Sequence, residues 1–147
     1  MRLGQSLAGL GALMHATVEL WGPLGAGKTT LVRAILKALG VQGRIKSPTY
    51  AVMESYAVPQ GDIAHFDFFR FQDPREWEDA GFRDVFSGPG LKISEWPEMA
   101  ATVLPTPDLR IHIQPVDDDR REVRLEAFTP RGLDLLAGVD AAALEGI

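Results

Sequence analysis

The run Gly22-Pro23-Leu24-Gly25-Ala26-Gly27-Lys28-Thr29 constrains this chain more than any other stretch, because it fits G-x-x-x-x-G-K-[ST] at full length. Its flanks supply the context the motif needs. Ala16-Thr17-Val18-Glu19-Leu20-Trp21 reads as a short strand. Leu31, Val32, Ile35, Leu36 and Leu39 then recur at helical spacing over 28–39, and Gly40 is well placed to end that helix. Strand, glycine-rich loop and helix in this order make a phosphate cradle. The first N–H groups of the helix have no partner within it and carry partial positive charge, so polyphosphate is their natural ligand. In such a cradle Lys28 reaches the β- and γ-phosphates and the Thr29 hydroxyl ligates Mg²⁺.

The length, 147 residues, fits one P-loop domain spanning 1–147, with room for a real core and too little for two ordinary ones. A formal net charge of −5 argues against a protein that coats itself with nucleic acid by charge alone. There is no cysteine, hence no disulfide, thiolate nucleophile or thiolate-held metal. No run of 18 apolar residues occurs, and the start leads into an amphipathic segment instead of a signal peptide, so a cytoplasmic protein is expected.

Leu3, Leu7, Leu10 and Met14 step by three and four, predicting a helix over 3–14 that Gly4, Gly9 and Gly11 weaken and tertiary contact must hold. Strands are expected over 51–56 and 63–69, separated by a turn at 59–62. In the second of these, His65 and Asp67 interrupt an apolar run on one face. Asp73-Pro74-Arg75-Glu76 opens a short helix with Asp73 as cap, ending at Gly81, after which Asp84-Val85-Phe86 leads into a Ser87–Gly90 turn. Leu91–Ser94 reads as a strand. Leu109–Ile113 and Glu122–Phe128 alternate as an antiparallel hairpin, and Thr129-Pro130 opens a last helix with Leu133, Leu135 and Leu136. The layout is α/β: a mostly parallel sheet flanked by helices, finished by an antiparallel strand pair.

A P-loop also needs carboxylates on the metal side and a group that orients water or the γ-phosphate. Asp67 and Glu95 both end strands, where open α/β sheets put their ligands, and spacing alone leaves open which of them touches the metal. Thr49, after Ser47-Pro48, reads equally as a turn hydroxyl or as a functional one. His65 reads as a core or interface histidine, and His15, His65 and His112 make no metal cluster. Trp77, Trp96 and Phe68-Phe69 read as packing, with Trp96 next to the site.

The chain has no asparagine, which excludes a guanine-reading Asn-Lys-x-Asp, and no Asp-x-x-Gly, so a GTPase is disfavoured. There is no arginine-dense lid after the P-loop helix and little room for an acceptor domain, which disfavours a small-metabolite kinase. A nucleotide hydrolase that drives or gates another protein fits better. The alternative of a different class is a nucleotide-gated assembly factor in which binding, not turnover, matters.

Beyond the P-loop, the sequence carries Lys-Ser-Pro-Thr-Tyr (46–50), His-Phe-Asp-Phe-Phe-Arg (65–70), Asp-Pro-Arg-Glu (73–76), Gly-Phe-Arg-Asp-Val-Phe (81–86) and Glu-Trp-Pro-Glu (95–98). With Gly22–Thr30, in this order and spacing, the chain resembles the TsaE (YjeE) family of tRNA threonylcarbamoyladenosine biosynthesis ATPases over about residues 3–128. The resemblance implies a cytoplasmic ATPase that binds the TsaD–TsaB heterodimer and is required for N6-threonylcarbamoyladenosine at tRNA position 37. It implies that Gly22, Gly25, Ala26, Gly27, Lys28, Thr29 and Thr30 hold the phosphates of ATP, and that Thr29 and Glu95 ligate Mg²⁺. Asp67 and Thr49, with Lys28, would serve hydrolysis, and Trp96 would lie beside the nucleotide. Asp84-Val85-Phe86 stands where the family more often has Asp-Tyr-Phe.

Overall fold

The computed structural model describes residues 2–46, 48 and 52–139. The strands are β1 (Thr17–Trp21), β2 (Met53–Val58), β3 (Gly61–Asp67), β4 (Leu91–Glu95), β5 (Leu109–Pro115) and β6 (Arg121–Ala127). They form one sheet in the order β2-β3-β4-β1-β5-β6. The central pairings β3–β4, β4–β1 and β1–β5 are parallel, while β2–β3 and β5–β6 are antiparallel. This is the expected α/β layout, with an antiparallel edge added at the β2 side. Segment 51–56 was expected as a strand without an assigned partner. It lies instead at 53–58, folded back on β3 through Pro59 and Gln60, and Ala51 falls outside the described residues.

Sheet pairing fixes which residues share a face. Register aligns Val18 with Ile93 and Leu109, Leu20 with Glu95 and Ile111, His65 with Ile93, and Asp67 with Glu95. All of these look to one side. There α1 (Arg2–Ala8), α2 (Lys28–Leu39) and α5 (Pro130–Gly138) cover the main core, built from residues such as Leu3, Leu7, Val18, Leu20, Ile35, Leu36, Ile93 and Ile111. On the opposite face Phe66, Phe68, Phe71, Trp77 and Phe82 form a second, aromatic core under α3 (Pro74–Asp79) and α4 (Phe82–Ser87). Its rings meet edge to face or offset, as between Phe66 and Phe82 at 5.2 Å and Phe68 and Phe71 at 5.4 Å. Trp77 and Phe68 are the packing residues the sequence indicates.

Several local expectations shift. The helix expected over 3–14 breaks after Ala8, with Leu10 extended (φ −92°, ψ 122°) and a 3₁₀ turn over Gly11–His15. Gly9 and Gly11 flank the break, where helix propensity is lowest. β3 stops at Asp67 because its own carboxylate takes the Phe69 N–H at 3.0 Å and turns the chain. Phe68 therefore enters the aromatic core while Phe69 stays 47% exposed. Gly81, at φ 72°, ends α3 as expected but also starts α4, where only a lead-in to a turn was foreseen. In α5, Thr129 caps Gly132 N–H at 3.0 Å as read, yet only Leu135 of the three leucines is buried. His112 points away from Ile111 and Ile113, toward Glu126 at 3.0 Å.

Gly4 shows how tertiary contact holds the weak first helix. A Cβ there would lie 2.8 Å from Ala34 Cβ, so the missing side chain is what lets α1 lie against α2. At Gly11 nothing lies within 4 Å of such a Cβ. Better helix propensity at position 4 is worth about 1 kcal/mol, but a branched side chain there overpacks the contact by about 1–3 kcal/mol. Gly4→Val is expected to lower the urea midpoint at unchanged slope, whereas Gly11→Ala is expected to leave it unchanged or raise it.

Candidate functional site

The cradle begins where β1 ends. A Cβ on Gly22 would collide with the Ile113 carbonyl oxygen, so only glycine lets the loop leave β1 this close to β5. Gly25 and Gly27, at φ 78° and 105°, take the left-handed conformations that turn the loop. Ala26 is buried, with its N–H on the Pro23 carbonyl at 3.1 Å. The loop ends in the first turn of α2, whose leading N–H groups have no helical acceptor.

Lys28 is buried, with Nζ donating to the Gly22 carbonyl at 2.6 Å and lying 3.4 Å from the centre of the Trp96 ring. Burial lowers its pKa, opposed by the nearby carboxylates of Glu98, Glu95 and Asp67. Thr29 donates its hydroxyl to Glu95 Oε1 at 2.8 Å, across 66 residues of sequence. The other oxygen of Glu95 meets His65 Nε2 at 2.6 Å, and both side chains are buried, with His65 1% exposed and Glu95 2%. Asp67 is half-buried beside them in register with Glu95. Burial raises its pKa first, the Phe69 N–H lowers it, and the Glu95 charge raises it further.

Trp96 follows Glu95 in a left-handed conformation (φ 54°, ψ 46°), sparsely populated for a residue of this size, and tilts against Phe69 with ring centres 4.9 Å apart. It walls the site and its ring takes the Lys28 ammonium, so it does more than pack. A cleft of about 420 Å³ is lined by Gly25, Ala26, Gly27, Lys28, Thr29, Thr30, Asp67, Phe69, Glu95 and Trp96 among others. A second cleft of about 340 Å³ opens on the other side of Ala26, Gly27 and Thr30, with Leu3, Leu31, Ile113 and Val123 in its wall and Asp118, Asp119 and Arg121 at its rim. Arg121 ties this rim to the cradle, its Nε donating to the Ala26 carbonyl at 3.1 Å.

Of the residues singled out by sequence, Gly22, Gly25, Ala26, Gly27, Lys28, Thr29, Thr30, Asp67, Glu95 and Trp96 thus meet at one end of the sheet. Thr49 lies outside the described residues. Val52, the first described residue after it, accepts from Asp67 N–H through its carbonyl at 2.8 Å. Sequence reading missed the contact of His65 with Glu95. The only signal for it was the period that puts His65 and Asp67 on one face. Among the described residues no three His, Asp or Glu side chains are grouped to hold a metal by themselves. Thr29 and Glu95 offer hard oxygen ligands of the kind that suit Mg²⁺, which takes one or two protein oxygens and completes its shell with phosphate and water.

Residues 1–123 match the family model of the threonylcarbamoyl adenosine biosynthesis protein TsaE. The chain belongs to the TsaE family. It is 38% identical to the tRNA threonylcarbamoyladenosine biosynthesis protein TsaE of Haemophilus influenzae, over 93% of this chain and 89% of that one. With the TsaE protein of Bacillus subtilis it shares 35% identity over 78% of this chain and 71% of the other. The fold matches the crystal structure of B. subtilis YdiB with a TM-score of 0.71 and 28% identity, covering 91% of this chain and 84% of that chain. TsaE membership thus agrees with the α/β layout, and no helix among the described residues is long and apolar enough to cross a membrane.

Asp67 has a measurable electrostatic signature. A carboxyl whose folded pKa is raised above the unfolded value binds its proton more tightly when folded, so stability falls as pH rises through the carboxylate range. Asp67→Asn keeps an oxygen for the Phe69 N–H and removes the charge. The variant is expected to have a higher thermal midpoint than the wild type at pH 7. That advantage should fade as the pH falls below the folded pKa of Asp67, where the wild-type carboxyl is already protonated. Equal midpoints at pH 7 would contradict the assignment.

Proposed function

We propose that this TsaE family member is a Mg²⁺-dependent ATPase that acts with TsaD and TsaB in forming N6-threonylcarbamoyladenosine on tRNA. The observation that carries the ATPase reading is the 2.8 Å hydrogen bond from Thr29 to Glu95 at the head of a complete phosphate loop. It brings the hydroxyl and the carboxylate expected to share a metal to the same point, beside the helix N-terminus that attracts phosphate. The pathway role rests on the names of the relatives, which are tRNA threonylcarbamoyladenosine biosynthesis proteins.

In this reading the backbone N–H groups of Gly25–Thr30 hold the β- and γ-phosphates. Lys28 leaves the Gly22 carbonyl and the Trp96 face to place its charge on them. Thr29 and Glu95 would hold Mg²⁺, and a cation there would supply charge to offset that of the phosphates. Asp67, across from Glu95 and with its pKa raised by burial, orients the attacking water. The second cleft, with apolar walls and a polar rim joined to the loop at Ala26, takes the nucleoside. Trp96 and Phe69 wall the phosphate side.

One observation favours the gating alternative, in which nucleotide occupancy is read by partners and turnover is incidental. Val52, at a strained φ of 65° and three residues after Thr49 in sequence, accepts a backbone hydrogen bond from Asp67. A change at Asp67 would therefore be felt at Val52. Order and disorder of such segments is how phosphate-loop switches signal. The two readings part in a tRNA modification assay reconstituted with TsaD, TsaB and ATP. If turnover matters, a variant that binds ATP without hydrolysing it fails to support modification; if occupancy suffices, it succeeds.

Two variants test the site directly. Lys28→Ala is expected to lose about 3 kcal/mol of ATP affinity, roughly a hundredfold, with the fold intact. Calorimetric titration of a folded variant that still binds like wild type would remove the phosphate-loop assignment. Asp67→Asn is expected to cut kcat by about 10²–10⁴ while sparing most ATP affinity. Wild-type turnover in that variant would assign the water to another group.

A further inference from the structure

His65 is buried on β3, between the edge strand β2 and β4, on the same face as Ile63. An apolar side chain here would leave the buried Glu95 carboxylate one donor short, and breaking a buried pair at one partner is costly. What the imidazole adds is a donor at one defined point. Its Nε2 lies 2.6 Å from Glu95 Oε2, while Glu95 Oε1 takes the Thr29 hydroxyl at 2.8 Å. The carboxylate is therefore held at both oxygens, by donors from β3 and from the first turn of α2. The opposite ring nitrogen, Nδ1, is buried and has no hydrogen-bond partner. That selects the tautomer. With the proton on Nε2 only the Nδ1 lone pair goes unpaired, whereas the proton on Nδ1 would strand a buried N–H and aim a lone pair at a carboxylate oxygen.

Glu95 also needs this hold for an electrostatic reason. Asp67 sits opposite it in the adjoining strand, and the two like charges lie side by side. Without the donor at Oε2, a buried carboxylate next to a like charge would gain by rotating away from Thr29. We infer that His65 is a positioning residue for the metal site. Its Nε2–H fixes the plane of the Glu95 carboxylate, so that Oε1 stays aimed at the place shared with the Thr29 hydroxyl. It touches neither nucleotide nor metal. The inference rests on the reading of Glu95 as the magnesium carboxylate.

The test is the Mg²⁺ dependence of ATP binding, measured by calorimetry on the full chain, with a thermal midpoint for each variant. His65→Leu removes the donor and keeps the bulk. Its Mg²⁺ requirement is expected to rise about tenfold or more, as for loss of an outer-shell partner, with ATP affinity in EDTA unchanged. His65→Gln, whose amide nitrogen reaches about as far as Nε2, is expected to restore most of the dependence. His65→Asn, which is too short, is not. If His65→Leu does not fold, the Gln and Asn pair decides. Unchanged Mg²⁺ dependence in a folded His65→Leu, or equal defects in Gln and Asn that track lowered midpoints, would overturn the positioning role. Wild-type binding that ignores Mg²⁺ would instead overturn the reading of Glu95, and the inference with it.

Discussion

The hydrogen bond between Thr29 and Glu95 is the contact on which the rest of the site depends, and the sheet exists to make it short. Thr29 sits in the first turn of the helix that follows β1, and Glu95 ends β4. Parallel pairing of these strands in a register that sets Leu20 against Glu95 brings the two together. A slip of one residue would turn Glu95 to the aromatic core and place Ser94 or Trp96 under the loop. The apolar residues of β1 and β4 that face α2 hold that register, so the main core and the chemistry are specified by one pairing.

Around that contact the polar groups form a connected set at the carboxyl ends of the strands. His65 and Thr29 hold Glu95, the Phe69 N–H holds Asp67, and Lys28 rests between the Gly22 carbonyl and Trp96. The lysine contacts are ones that a phosphate group could replace, because neither is an ion pair. Two carboxylates side by side with a lysine nearby are costly to bury. The same crowding suits a site whose proposed ligands are a cation and a polyphosphate.

Much of this was legible in the sequence because phosphate-loop chemistry is local. The spacing of Gly22, Gly27, Lys28 and Thr29 specifies a loop and a helix start in a few consecutive residues, and the structure shows both. The apolar runs before and after it gave the central strands. The signals that failed were those settled by contact at a distance. The break at Gly9-Leu10 and the start of α4 after Gly81 depend on glycines that sequence marks only as weak points. The pairing of 53–58 with β3 depends on a turn of only two residues, Pro59 and Gln60, where four were expected. His65 was visible as a buried histidine, but its partner is 30 residues away on another strand, and only the β3–β4 register joins them. The exposed Phe69 and buried Phe68 were read as a pair, and the Asp67 carboxylate divides them.

The account rests on Thr29 and Glu95 forming one metal site at the mouth of the phosphate loop. A crystal structure with Mg²⁺ and a non-hydrolysable ATP analogue tests it most directly. The predicted result is a magnesium ion in contact with Thr29 Oγ1, a phosphate oxygen and Glu95, directly or through one water, with Lys28 moved from the Trp96 face onto the phosphates. An analogue seated away from Gly25–Thr30, or an ion held by Asp67 with Glu95 still closed on Thr29, would contradict it.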